Sequence, residues 1–344
     1  MYDIITVGSA TVDVFIHTDP KQTEIIKHKD HNDVAYMLGS KILVQKLSVF
    51  TGGGGTNTAV GFSRLGLKTG YIGSLGNDEN SKIILDELKR EKISFLGHTA
   101  NILKSDSLNN KSTGYSVILD SIKEDRTIFA YKGANDFLNP QVIEKKIKNG
   151  IIKTKWFYFC SMIGQSFESQ KKLVKYASKN NIKIVYNPSL YITKNGYKPI
   201  YEILKHTEIL IFNKEEAESL LNKNFLESDF LSQKRFFSKI SGLGPKIVVI
   251  TDGKNGCYVY DSKDKSIYLS KPKPIKILET TGAGDAFSVG FVSGLLLKKT
   301  IPDAIKLGMS NAESVIQHLG AKNILLDSSK IKKIITDTRQ IFRV

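Results

Sequence analysis

From Trp156 to Thr251 the chain alternates strand-like and helix-like segments, and this rhythm constrains the fold more than any other feature. Strands are expected at Trp156 to Cys160, Ile182 to Tyr186, Glu208 to Phe212 and Lys246 to Thr251. Helices are expected at Phe167 to Asn180, Pro199 to Lys205 and Lys214 to Leu221. Such alternation implies a parallel, doubly wound α/β sheet covered by helices on both faces. Ligands then bind at the carboxyl ends of the strands, where Asn187, Asn213 and Thr251 lie. Tyr2 to Val7, closed by Gly8-Ser9, and Thr69 to Ser74 add strands on the N-terminal side.

Composition narrows the class. A chain of 344 residues makes one large α/β domain or two smaller ones, and 41% hydrophobic residues supply a sizeable core. No apolar run reaches about 18 residues, so no membrane-spanning helix is expected. The start lacks a basic region ahead of its apolar run and reads as a first strand, not a signal peptide. Two distant cysteines, Cys160 and Cys257, without metal-type spacing fit a cytoplasmic, reducing location. The net charge is +16, but only six basic residues are arginine. Reading base edges relies on arginine forks, so the charge argues for a solvated basic surface suited to anionic substrates and against nucleic-acid recognition.

Two glycine-rich stretches carry the chemistry. In Glu279 to Phe287, two threonines lead into Gly282-Ala283-Gly284, then Asp285, then an apolar helical run from Ala286 to Leu297. Glycines let backbone amides approach a ligand, and a helix start aims unpaired N–H groups into the same space. That is an anion site suited to a phosphoryl group, with a carboxylate at its mouth able to take a proton from a hydroxyl. In Thr51 to Val60, four glycines precede a helix over Thr56 to Leu65, and Asn57 on its first turn offers a donor and an acceptor. That stretch lacks the Lys-Ser/Thr pair of a P-loop. Asp13 follows the first strand and could accept two adjacent hydroxyls.

The order of these elements resembles the ribokinase-like (PfkB family) carbohydrate kinases from Gly8 to Gly320. The resemblance implies a single ribokinase-like domain over 1–344 that phosphorylates a sugar hydroxyl with ATP. It makes Asp285 the catalytic base and Gly282, Ala283 and Gly284 the anion hole. It places Asp13, Gly53, Gly54 and Asn57 on the sugar. It gives ATP binding to Asn187, Asn213, Thr251, Gly253, Gly256 and Asn311. In Asn213-Lys214-Glu215-Glu216 it assigns Glu216 to Mg2+, through water. Family members often use K+ and often pair as homodimers through a lid. Ribokinases proper usually carry Lys where this chain has Gly54, so ribose is not specified.

The lid is expected from residues 13–50 and 112–132, with Val34 to Phe50 pairing with a hairpin of Ser112 to Leu119 and Asp125 to Tyr131. Residues 17–34 and 97–111 read as loops, and Pro302 to about Leu319 as a last long helix with a tail packing on the sheet. The rival acceptor is a nucleoside, stacked on lid aromatics such as Phe129 and Tyr131. From another class, a non-catalytic basic nucleic-acid-binding protein would explain the charge but leave Asp285 and the glycines unexplained.

Overall fold

The computed structural model describes residues 1–19, 23–29, 32–99, 111–122, 125–225 and 229–344. Its strands begin with β1 (Tyr2–Val7), β2 (Thr11–Thr18), β3 (Glu24–Lys27), β4 (Asn32–Ala35), β5 (Val44–Gly52), β6 (Thr69–Ile72) and β7 (Ser74–Leu75). They continue with β8 (Ser94–Phe95), β9 (His98–Thr99), β10 (Gly114–Ile122), β11 (Asp125–Tyr131), β12 (Thr154–Cys160) and β13 (Lys183–Asn187). The last are β14 (Ile209–Asn213), β15 (Ile247–Thr251), β16 (Cys257–Asp261), β17 (Ser266–Ser270) and β18 (Phe342–Arg343). The helices are α1 (Gly54–Arg64), α2 (Glu79–Arg90), α3 (Pro140–Lys148), α4 (Gly164–Lys179), α5 (Leu190–Thr193) and α6 (Tyr201–Leu204). They end with α7 (Lys214–Leu221), α8 (Phe230–Ser241), α9 (Ala283–Leu296), α10 (Ile301–Val315) and α11 (Ile331–Ile335).

Ten strands form the main sheet in the order β18-β17-β16-β15-β14-β13-β12-β1-β6-β8. Pairing is parallel from β8 to β15 and antiparallel from β15 to β18. Alternate residues of each central strand enter opposite cores. Ile5, Phe157, Phe159, Tyr186 and Phe212 pack against α4 and α8 through Leu173, Ala177, Phe236 and Phe237. Ile4, Tyr158, Val185, Ile211 and Val249 pack against α1, α9 and α10 through Phe62, Phe287, Phe291 and Ile305. With both faces covered, the sheet is held by aromatic and branched side chains worth about 1.5–3 kcal/mol each when fully buried.

A second sheet has the order β11-β10-β2-β5. Here the expected pairing is corrected. β2, immediately after the first strand, is a central member, while Val34 to Leu43 contributes nothing to this sheet. Within 17–34, β3 and β4 form a hairpin of their own. Helices α3 and α8 and the short α5 and α11 were not anticipated; α3 and α8 open on side-chain caps, Asn139 and Asp229 respectively. The last long helix ends at Val315, short of Leu319. Most of 97–111 and the hairpin tip at Lys123 and Glu124 lie outside the described residues.

The pairing register sorts the second sheet's faces. Directly paired residues share a side. Phe50, Asp13, Ser116 and Ala130 form one row; Val49, Val14, Val117 and Phe129 form the next row, on the opposite face. Tyr131 shares the side of Phe129, away from Asp13.

Candidate active site

The carboxyl ends of β1, β12, β13, β14 and β15 converge along one edge of the main sheet. Both glycine-rich stretches come to this edge. α1 starts after β5, and its Asn57 Nδ2 donates to Asp285 Oδ2 on the first turn of α9 at 2.8 Å. One hydrogen bond thus joins residues 228 apart in sequence. A Cβ added at Gly54 would lie 3.3 Å from Cys160 Sγ and 3.7 Å from Asp285 Oδ1, so Gly54 borders the base.

Asp285 is half-buried, and desolvation pushes its carboxyl up to about 6. The Asn57 hydrogen bond and the positive charge of Lys322 oppose that rise. A carboxylate in this range is ionised at neutral pH yet basic enough to accept a proton. Of the three amides expected to hold an anion, that of Ala283 donates to Thr280 O at 3.2 Å. The amides of Gly284 and Asp285, at the positive end of α9, have no partner among the described residues.

In the first turn of α1, Gly55 N and Thr56 N both donate to Ser9 O, at 3.0 and 3.3 Å. Asp13 Oδ1 and Asn57 Oδ1 are buried acceptors with no hydrogen-bond partner among the described residues. Buried polar atoms are nearly always paired, so these acceptors are suited to hydroxyl donors. Desolvation raises the Asp13 carboxyl, while hydrogen bonds from Thr11 and Ser116 and the charge of Lys322 lower it.

Several contributors had no clear sequence signal. Gly52 is indispensable to Asp13, since a Cβ there would meet Asp13 Oδ2 at 1.8 Å. Lys322 is buried, its Nζ 2.6 Å from Glu87 Oε2 and 3.4 Å from Thr56 Oγ1. Glu87 Oε1 in turn accepts from Thr51 at 2.5 Å. This ion pair ties α2, the end of β5, α1 and the segment after α10 together. Breaking a buried pair by removing one partner costs about 3–5 kcal/mol.

The nucleotide-side residues are spread along the same edge. Asn187 donates to Ile211 O at 2.7 Å, and Thr251 pairs in register with Asn213. Gly253, with φ +45°, faces open space, whereas a Cβ at Gly256 would strike Ser270 O at 2.0 Å. Gly256 therefore serves its turn. Asn311 is completely buried: its amide donates to Ala286 O and accepts from Leu326 N. That side chain joins α9, α10 and the tail.

Asn213 and Glu216 form a reciprocal cap at the start of α7. Even so, desolvation pushes Glu216 up to about 7, with the charges of Glu215 and Asp285 adding to the rise. No cluster of three or more metal-ligating side chains occurs among the described residues. One carboxylate at the mouth fits Mg2+, which keeps several waters and is carried largely by phosphates, better than a cation needing an all-protein cage.

A family model described as pfkB family carbohydrate kinase matches residues 21–328. A 5-dehydro-2-deoxygluconokinase of Clostridium botulinum is 28% identical over 305 residues, 85% of each chain. Arabidopsis thaliana ribokinase, solved with ribose and ATP, superposes with a TM-score of 0.74 at 18% identity, over 98% of this chain and 99% of that one. A chain from E. coli solved with ATP and Mg2+ superposes with a TM-score of 0.76 at 17% identity, over 97% of this chain and 99% of that one.

Proposed function

The chain belongs to the pfkB family of carbohydrate kinases, and from that premise we propose that it transfers the γ-phosphate of ATP to a sugar hydroxyl with Asp285 as base. The observation that carries this reading is the 2.8 Å bond from Asn57 to Asp285, which brings both glycine-rich stretches to one point. The acceptor hydroxyl lies against Asp285, and its neighbours donate to Asp13 Oδ1 and Asn57 Oδ1. Asp285 takes the proton as the hydroxyl attacks. The amides of Gly284 and Asp285 stabilise charge on the phosphoryl group in flight. Asn187, Asn213, Thr251 and Gly253 border the nucleotide. Glu216 would hold Mg2+ through water, and the ion supplies neutralisation of the phosphate charge. K+ dependence is checked by replacing K+ with Na+ in the assay.

The second reading, a nucleoside acceptor, loses two of its expected stacking walls, while Phe50 stands in the Asp13 row. Phe129 and Tyr131 point to the side of the sheet opposite Asp13 and are about half exposed. We further propose that β2, β5, β10 and β11 act as the lid of a single domain. Val49 and Phe129, exposed on its outer face, suit pairing with a second copy; sedimentation velocity checks this. The activity itself is tested by ADP release across sugars, sugar acids, sugar phosphates and nucleosides. Absence of acceptor-dependent ADP release with every class defeats the kinase reading.

A further inference from the structure

Beside the proposed acceptor position lies a cavity of about 290 Å³ between the second sheet and the strand ends, lined in part by Ser9, Ala130, Lys132, Asp136, Ser161 and Tyr191. It adjoins the base: Ser161 follows Cys160, whose Sγ borders Gly54, and Ser9 O buttresses Gly53. Its neutral polar groups are already engaged. Asn135 exchanges hydrogen bonds with Ala10 at 2.8 and 2.9 Å, and the Ser161 hydroxyl meets that of Ser189 at 2.6 Å.

The charged groups are different. Ala130 stands in the Asp13 row, and Lys132, two residues on, also lines the cavity. The Lys132 ammonium lies 5.4 Å from the centre of the Tyr191 ring, and the Lys194 ammonium lies 5.4 Å from the same ring. Neither lysine forms a salt bridge among the described residues. Two cations on one aromatic ring concentrate positive charge there, which favours an anion brought to Lys132. Asp136 is the lining carboxylate; desolvation raises it and the charge of Lys132 lowers it.

We propose that the acceptor carries an anionic group at the end remote from the phosphorylated hydroxyl, recognised by Lys132, with the Lys194 charge at the same Tyr191 ring adding to the field. The acceptor is then a sugar acid or a sugar phosphate, not a neutral sugar. The inference rests on the kinase reading for the position of the reacting hydroxyl, while the anion pocket itself stands on its own residues.

The test uses the full chain and matched acceptors: aldonic and ketoaldonic acids, neutral alditols and ketoses of the same length, and the corresponding monophosphates. Turnover is followed by ADP release and binding by calorimetry. At least one anion is expected to exceed its neutral partner about tenfold in kcat/KM, a difference of about 1.4 kcal/mol, and to weaken with added salt. Whether acids or phosphates win identifies the source of the charge. Lys132→Gln, at an exposed position, should raise KM for that anion about tenfold with kcat and melting temperature little changed, and leave neutral acceptors unaffected. Neutral acceptors matching or exceeding every anion, or an unchanged preference in the Lys132→Gln/Lys194→Gln variant, overturns the inference while sparing the kinase. An anion that binds through Lys132 but is never phosphorylated does the reverse. Failure of every anion to bind also overturns it.

Discussion

The two glycine-rich stretches look alike in sequence and do opposite things. At Gly52 to Gly55 the missing side chains make room for protein: added Cβ atoms would strike Asp13 at Gly52, Ser9 at Gly53, and Gly8 and Tyr71 at Gly55. Two amides of the first turn of α1, those of Gly55 and Thr56, are likewise taken by Ser9. At Gly284 an added Cβ would meet nothing within 4 Å, and the neighbouring amides are open. One stretch packs against Asp13, Ser9, Gly8 and Tyr71. The other leaves the backbone at Gly284 uncovered. A run of glycines therefore does not by itself announce a backbone anion site; its amide partners decide.

The sharpest contrast comes from the base. Asp285→Asn should lower kcat by about 10²-fold or more, since general-base catalysis contributes about 10²–10⁴. Because the folded carboxyl titrates near 6, above its ordinary value of 3.8, ionising it opposes folding as pH rises through that window. The variant should thus melt no lower than wild type at pH 7. A kcat above about a tenth of wild type would remove Asp285 from the role. In wild type, kcat/KM should climb with pH through about 6 as the base ionises.

Next, one methyl on each stretch should separate the two uses. Gly55→Ala forces backbone and the Tyr71 ring apart and should cost about 1–3 kcal/mol of stability, the usual penalty of overpacking. Gly284→Ala should leave denaturant midpoints nearly unchanged yet lower kcat about tenfold or more by crowding the phosphoryl position. Equal stability losses in the two variants would erase the distinction.

Smaller effects follow at the flanks. A free, acidic or phosphorylated sugar should outperform adenosine, inosine and cytidine by at least about tenfold in kcat/KM, about 1.4 kcal/mol in transition-state binding. A nucleoside winning that comparison would reverse the acceptor assignment and leave Asp285 untouched. Glu216→Gln should raise the Mg2+ concentration for half-maximal rate about two- to fivefold, because a hard cation loses a carboxylate. An unchanged Mg2+ requirement would leave Glu216 as a helix cap alone.

The parts legible in the sequence were those with local, repeated signals. β12 to β15 are buried on both faces and read as apolar runs, and Gly-Ala-Gly-Asp ahead of a helix locates α9 without any tertiary information. What escaped depends on distance. Lys322 and Glu87 are separated by 235 residues, and nothing beside either marks it as buried. β2 has a polar member, Asp13, in the middle of its apolar run, so its strand character was masked. Asn311 looks like a ligand residue until both ends of its amide are found on backbone.

The ends of the two sheets have a further consequence. A sheet edge is a row of unpaired donors and acceptors on which another chain can grow. The main sheet finishes on one side in β8 and on the other in β18, each only two residues long. Arg343 in β18 is pinned by Asp264 and Ser266, so that short border stays in place. The second sheet instead ends in β5 and β11, nine and seven residues long. Strand-on-strand growth is therefore blunted at the main sheet and left open at the second.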